Sequence, residues 1–226
     1  MKKITFYTEL AYPFGISGLA LGTAFMEKAD LGISMVVAPA YLLYMKVSTV
    51  WSFVTFGMAE YTLQACLLVV MTLVLRKFKV SYLFSFVTAI IYGFTLDGCM
   101  ALITTIHSSS FISCVAFYII GLILCAIGVA LIFHTYIAPE VYELFVKEVS
   151  AKMHYNISNF KFGYDCISCM VAIILSFLFF GFFRFEGVKG GTIICALING
   201  KIIGIISNFM DKHLNFKDIL TLRKYF

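Results

Sequence analysis

The chain has 226 residues, 62% of them hydrophobic and 13% charged, with a formal net charge of +5. Soluble domains carry roughly 45–50% apolar and about 25% charged residues, so no water-soluble globule of this length could clothe such a chain in polar surface; a bilayer must be its solvent. The 17 Lys and Arg fall between apolar runs and at the two ends rather than in one basic patch, which excludes a nucleic-acid-binding surface and points instead to orientation in a membrane.

The opening MKKITFY reads as a short cytoplasmic lead, because Pro13 and two glycines interrupt the apolar core that a cleaved signal would need and no small-x-small cleavage site follows. Apolar runs then predict six spans, at about 13–27, 56–75, 82–103, 112–133, 163–183 and 190–210. Two segments are too short or too polar to cross. Residues 34–47 (SMVVAPAYLLYMKV) suit a re-entrant half-helix or a buried surface helix. In 139–153, Val141, Leu144, Phe145, Val149 and Met153 share a helical face with Glu140, Glu143, Lys147 and Lys152 mostly off it, which suits a helix in the membrane interface.

With both ends cytoplasmic, twelve of the 17 basic residues fall inside: Lys2, Lys3, Arg76, Lys77, Lys79, Lys147, Lys152, Lys161, Lys212, Lys217, Arg223 and Lys224. Lys28, Lys46, Arg184 and Lys189 fall outside, and Lys201 lies within a span. This bias favours six spans over eight, since eight would put the Arg76 to Lys79 cluster outside.

The chain also matches itself at an offset of 106–107 residues. Gly15 and Gly22 fall on Gly121 and Gly128, Phe56-Gly57 on Phe162-Gly163, and AIIYG (89–93) on ALING (196–200). Three crossings per copy is an odd number, so the second copy enters from the opposite side. The expected fold is therefore all-α and membrane-integral, a single domain over 1–226. It comprises two inverted three-helix repeats, at about 13–104 and 112–211, each with a short re-entrant or interfacial helix, followed by a cytoplasmic tail, 212–226.

The segments GLALGTAFMEKADLGIS (18–34), FGMAEYTLQACLLVV and GVKGGTIICALINGKIIGII (187–206) resemble the YczE and YitT group of uncharacterised bacterial multipass membrane proteins. The resemblance implies a bacterial cytoplasmic membrane and supplies no substrate. After ADLGxS such proteins often continue with Pro, Trp and Asp, whereas Met35, Val36 and Val37 stand here. Where they tend toward Pro-Arg-Asp in the second copy, this chain has Ala138, Pro139 and Glu140.

Ionisable groups within a span are costly, so they mark cavities or partners. Glu60, Asp97, Asp165 and Lys201 are the candidates, with Gln64 one turn from Glu60 on the same face. Glu60, Asp97 and Lys201 could cluster in the outer half. The plainer alternatives are an Asp97–Lys201 ion pair and dipole stabilisation of Glu60 and Asp165 in a first helical turn. Gly18 with Gly22 and Gly200 with Gly204 form G-x-x-x-G faces for close helix packing, and Asn199 and Asn208 suit interhelical glue. Cys166-x-x-Cys169 reads as packing, and the seven cysteines suggest no disulfide or zinc framework.

A small-solute transporter or exporter is the leading expectation, with a solute site between the repeats. The alternatives are the substrate-binding subunit of a vitamin-type importer and a structural or regulatory membrane protein. With His107, His134, His154 and His213 scattered and no HExxH or GxSxG, neither catalysis, a metal nor a cofactor is expected. The bilayer and an unknown small solute are the expected partners, and a homo-oligomer stays open.

Overall fold

The computed structural model describes residues 4–106, 110–155, 157–181 and 187–219. Among them run, in order, β1 (Ile4–Tyr7), α1 (Thr8–Ala29), α2 (Ala38–Ser48), α3 (Phe56–Leu75), α4 (Ser81–Thr104), α5 (Phe111–Phe133), α6 (Val141–Lys152), α7 (Ile157–Phe180), α8 (Gly190–His213) and β2 (Leu214–Lys217). Lys2, Lys3, His107, Arg184, Arg223 and Lys224 of the sequence reading lie outside the described residues.

Five helices, α3, α4, α5, α7 and α8, are long and apolar enough to cross a membrane. The chain is thus a helical, multi-span membrane protein. Its outer surface is apolar, with Leu73, Phe94, Ile112 and Leu178 all more than 60% exposed, as side chains that meet lipid should be. The sixth expected span, α1, has the length, at 22 residues, but falls short in composition. Pro13, three glycines, Glu9 and Glu27 dilute it, and packing supplies what hydropathy does not, since α1 is held between α4 and α5.

Small residues make that packing possible. α1 and α5 run antiparallel, with Gly15 against Gly128 and Gly22 against Gly121. A Cβ on Gly22 would stand 2.6 Å from the Gly121 carbonyl oxygen, and one on Gly128 would stand 2.6 Å from that of Gly15. Two backbones can approach this closely only where both surfaces lack side chains. Gly18 lies on the same face, 3.6 Å from Gly128 Cα by the same measure.

The packing partners exchange in pairs. α1 packs on α4 as α5 packs on α8; α2 on α3 as α6 on α7; α3 on α4 as α7 on α8; and α2 on α7 as α6 on α3. β1 pairs with β2 in parallel, Ile4 opposite Leu214, and so brings the two ends together. Neither strand was expected; with four residues each, they exist through their pairing, fastened by Phe6 edge-on to Phe216 and by Phe216 stacked on His134.

The short helix α6 is more buried than the water-facing pattern of its sequence suggests. Val141, Tyr142, Val146, Val149 and Ser150 are buried, and α6 lies along α3 instead of on the surface. The Val141 N–H donates to Gln64 Oε1 at 3.0 Å, and Lys152 Nζ donates to the Val74 carbonyl at 2.6 Å. Ten residues of α3 separate these contacts, about 15 Å at 1.5 Å per residue, so α6 runs beside roughly half the length of that helix. Glu148 accepts from Lys79 at 2.8 Å and from Tyr82 at 2.7 Å. α2 behaves likewise along α7, with Lys46 Nζ 3.5 Å from the Phe179 carbonyl oxygen at its far end.

The turn before α2 depends on the ADLG sequence. Asp30 ends α1 in the left-handed region (φ 52°), and Gly32 follows at φ 114° with no room for a Cβ, 2.6 Å from Thr192 Oγ1. Gly191 N donates to the Leu31 carbonyl at 2.9 Å and Lys189 pairs with Asp30 at 2.6 Å, fixing this turn to the start of α8.

Candidate functional site

The first residues of both short helices meet at one cavity. Ser34, Val36 and Val37 approach from the α2 side, and Glu140 and Tyr142 from α6. Its volume is about 40 Å³, and Thr23, Tyr92, Glu143, Lys161 and Asn199 also line it. Thr23 and Tyr92 join through their hydroxyls at 3.0 Å. Tyr92 and Asn199 fall at the same place when AIIYG is set against ALING. Each short helix therefore turns its N-terminal end, the positive end of its dipole, toward a shared polar space.

Beside the cavity lies a cluster of acids. Glu60 and Gln64 are fully buried and Glu140 is 3% exposed. One amide nitrogen serves both carboxyls: Gln64 Nε2 donates to Glu60 Oε1 at 3.4 Å and to Glu140 Oε2 at 3.1 Å. The remaining oxygens, Glu60 Oε2 and Glu140 Oε1, and the Tyr142 hydroxyl beside Glu60 have no hydrogen-bond partner of good geometry among the described residues. Burial, and then the neighbouring charges of Glu143 and Glu60, push the Glu140 carboxyl well above the usual carboxylate range.

Of the five polar residues expected from the sequence, Glu60 and Gln64 come together and the other three lie elsewhere. Asp97 caps α3: its Oδ2 accepts from Thr55 Oγ1 at 2.6 Å and its Oδ1 from Gly57 N at 2.8 Å. Lys201 is exposed, and among the described residues no ion pair joins it to Asp97. The expected grouping of Glu60, Asp97 and Lys201 does not form, because Lys201 turns outward into a groove of about 930 Å³ that Asp165 also lines. Asp165 is buried beside Lys161, whose Nζ is 3.8 Å from Asp165 Oδ1 and 4.0 Å from Glu143 Oε1.

The two G-x-x-x-G faces divide as well. Gly18 and Gly22 pack as expected, whereas Gly200 and Gly204 meet nothing within 4 Å and line the open groove. Asn199, expected as interhelical glue, borders the central cavity with its Oδ1 buried and unpaired. Glu140 escaped the sequence reading because an amphipathic helix with acids near its start reads as a surface helix; Gln64, which binds it, was visible only as a neighbour of Glu60.

The model of a family of unknown function, DUF6198, matches residues 6–208. No curated protein and no solved structure gives a significant match.

Proposed function

The chain belongs to the DUF6198 family of unknown function, and from that premise we propose that it is a small-solute transporter of a cell membrane, formed by two oppositely directed halves that meet at the central cavity. The observation that carries this reading is the meeting of two half-helix starts, one from each half, at a single polar space about midway along the spans. Transporters place binding sites at such a junction because broken helices offer dipole ends and free backbone groups where lipid cannot reach.

Six crossings, with α1 the sixth, agree with the pairing of β1 and β2: chain ends on one side require an even number. The antiparallel glycine contact of α1 with α5 supports the inverted relation, as does the exchange of packing partners between the halves. The bias of basic residues supports both ends on the cytoplasmic side. The reading is one of passage and not of covalent catalysis.

Comparison of metabolites in deletion and overexpressing cells, followed by flux of the differing solutes into proteoliposomes, tests it. A solute whose level moves in opposite directions in the two strains, and which crosses only protein-bearing vesicles, is expected. Unchanged metabolites together with no flux would overturn the reading.

A further inference from the structure

We infer that Glu60 and Glu140 form a single proton-binding site, a carboxyl pair holding one exchangeable proton at the junction of α3 and α6. Its role as the coupling site rests on the transporter reading above; the proton itself does not.

The donors are too few for two anions. Gln64 is fixed, since its Oε1 accepts from Val141 N and its amide hydrogens therefore face the two acids. That amide and the positive end of the α6 dipole can support one negative charge. Among the described residues no ion pair reaches either carboxyl to support a second. From α4 the facing group is the Tyr92 phenol, and from α1 and α5 come the Tyr12 phenol and the Cys125 thiol. α6 adds Tyr142 and the like charge of Glu143. α7 contributes the Tyr164 phenol and Lys161, the one cation lining the cavity among the described residues, whose charge is shared between Glu143 and Asp165. Two ionised carboxylates around one amide nitrogen would repel with no cation between them, so the pair keeps a proton.

A metal fits poorly. Glu60 Oε2, Glu140 Oε1 and the Tyr142 hydroxyl are buried and unpaired, but three oxygens fall short of the roughly six or more that hard cations gather. A proton needs one of them. It also has a way out, because Glu140 borders the 40 Å³ cavity, which has room for water. Glu143 and Lys161 border that cavity and also a groove of about 520 Å³ on the α6 side.

Infrared titration of the purified full chain in lipid nanodiscs tests the site without any solute. The expected result is a protonated-carboxyl band at neutral pH that fades as pH rises. Its transition is lost or shifted in both Glu60→Gln and Glu140→Gln, and kept in Glu148→Gln, a carboxyl at the Lys79 contact. Absence of the band, or a transition untouched by both variants, overturns the inference. So does a thermal stabilisation by Na⁺ over choline that vanishes in Glu140→Gln, which would assign the site to a metal cation.

Should the variants fail to fold, the wild-type chain still decides. A carboxyl whose folded pKa is raised binds more protons folded than unfolded, so its stabilisation is lost as pH rises above the usual carboxylate range. The melting midpoint should fall over that window, and a flat midpoint overturns the site. Proteoliposomes without solute flux would sink the transport reading while leaving the infrared result standing.

Discussion

The α3–α4 and α7–α8 pairs are counterparts in the proposed repeat, yet one is shut and the other open. In the first, Gly57 meets the Gly93 backbone so closely that a Cβ would collide with the Gly93 carbonyl oxygen. Asp97 closes the top of that seam by holding Thr55 and Gly57, and Glu60 and Gln64 are sealed beneath it. In the second, Gly163 and Gly200 match Gly57 and Gly93, but neither has anything within 4 Å of where a Cβ would be. The groove there has a volume of about 930 Å³. The difference teaches that the glycine pattern permits closure without enforcing it. In the transporter reading, a seam that can be either closed or open is what alternating exposure of a central site requires.

The largest effect expected from this contrast is at the closed seam. Gly57→Ala or Gly93→Ala forces backbone apart from backbone, which no rotamer change can relieve. Overpacking of this kind costs on the order of 3 kcal/mol. Thermal unfolding in detergent should show a large drop for both variants, with Gly163→Ala as the matched control near wild type. Equal tolerance at positions 57 and 163 would erase the distinction between the seams.

Next in size is Asp97. Asp97→Ala removes a charged acceptor from two donors and should cost about 2 kcal/mol, within the range for charge-assisted hydrogen bonds and helix caps. Thr55 would keep part of the cap, since its Oγ1 also accepts from Met58 N at 3.2 Å. If Asp97→Ala melts like wild type while transport falls, Asp97 serves the solute and not the seam.

How much of this was legible in the sequence follows from what each feature depends on. The long helices were, because their apolar runs are set by the thickness of the membrane, and the expected 56–75 and 112–133 lie within one residue of α3 and α5. The α1–α5 contact was foreshadowed too, in Gly15, Gly22, Gly121 and Gly128. The burial of α6 was not. Its acids and lysines follow the pattern of a water-facing surface, and only the placement of Gln64 on α3 and Lys161 on α7 gives Glu140 and Glu143 partners within the fold. The same holds for Lys201, which hydropathy alone sets within a span but cannot turn toward or away from the core. Asn199, two residues earlier, faces the cavity instead.

The smallest effect on stability, and the sharpest use of the comparison, is expected at Gly200 and Gly204. With nothing within 4 Å, Gly200→Ala should change the melting midpoint little, since an exposed methyl in a helix even gains slightly in propensity, by up to about 1 kcal/mol. If α7 and α8 close during transport as α3 and α4 are closed here, the same methyl would collide in that second arrangement. Flux measured in proteoliposomes would then fall in Gly200→Ala with stability intact. A variant that is normal in both measurements would mean that the open seam stays open throughout, and that the two halves differ in kind and not in state.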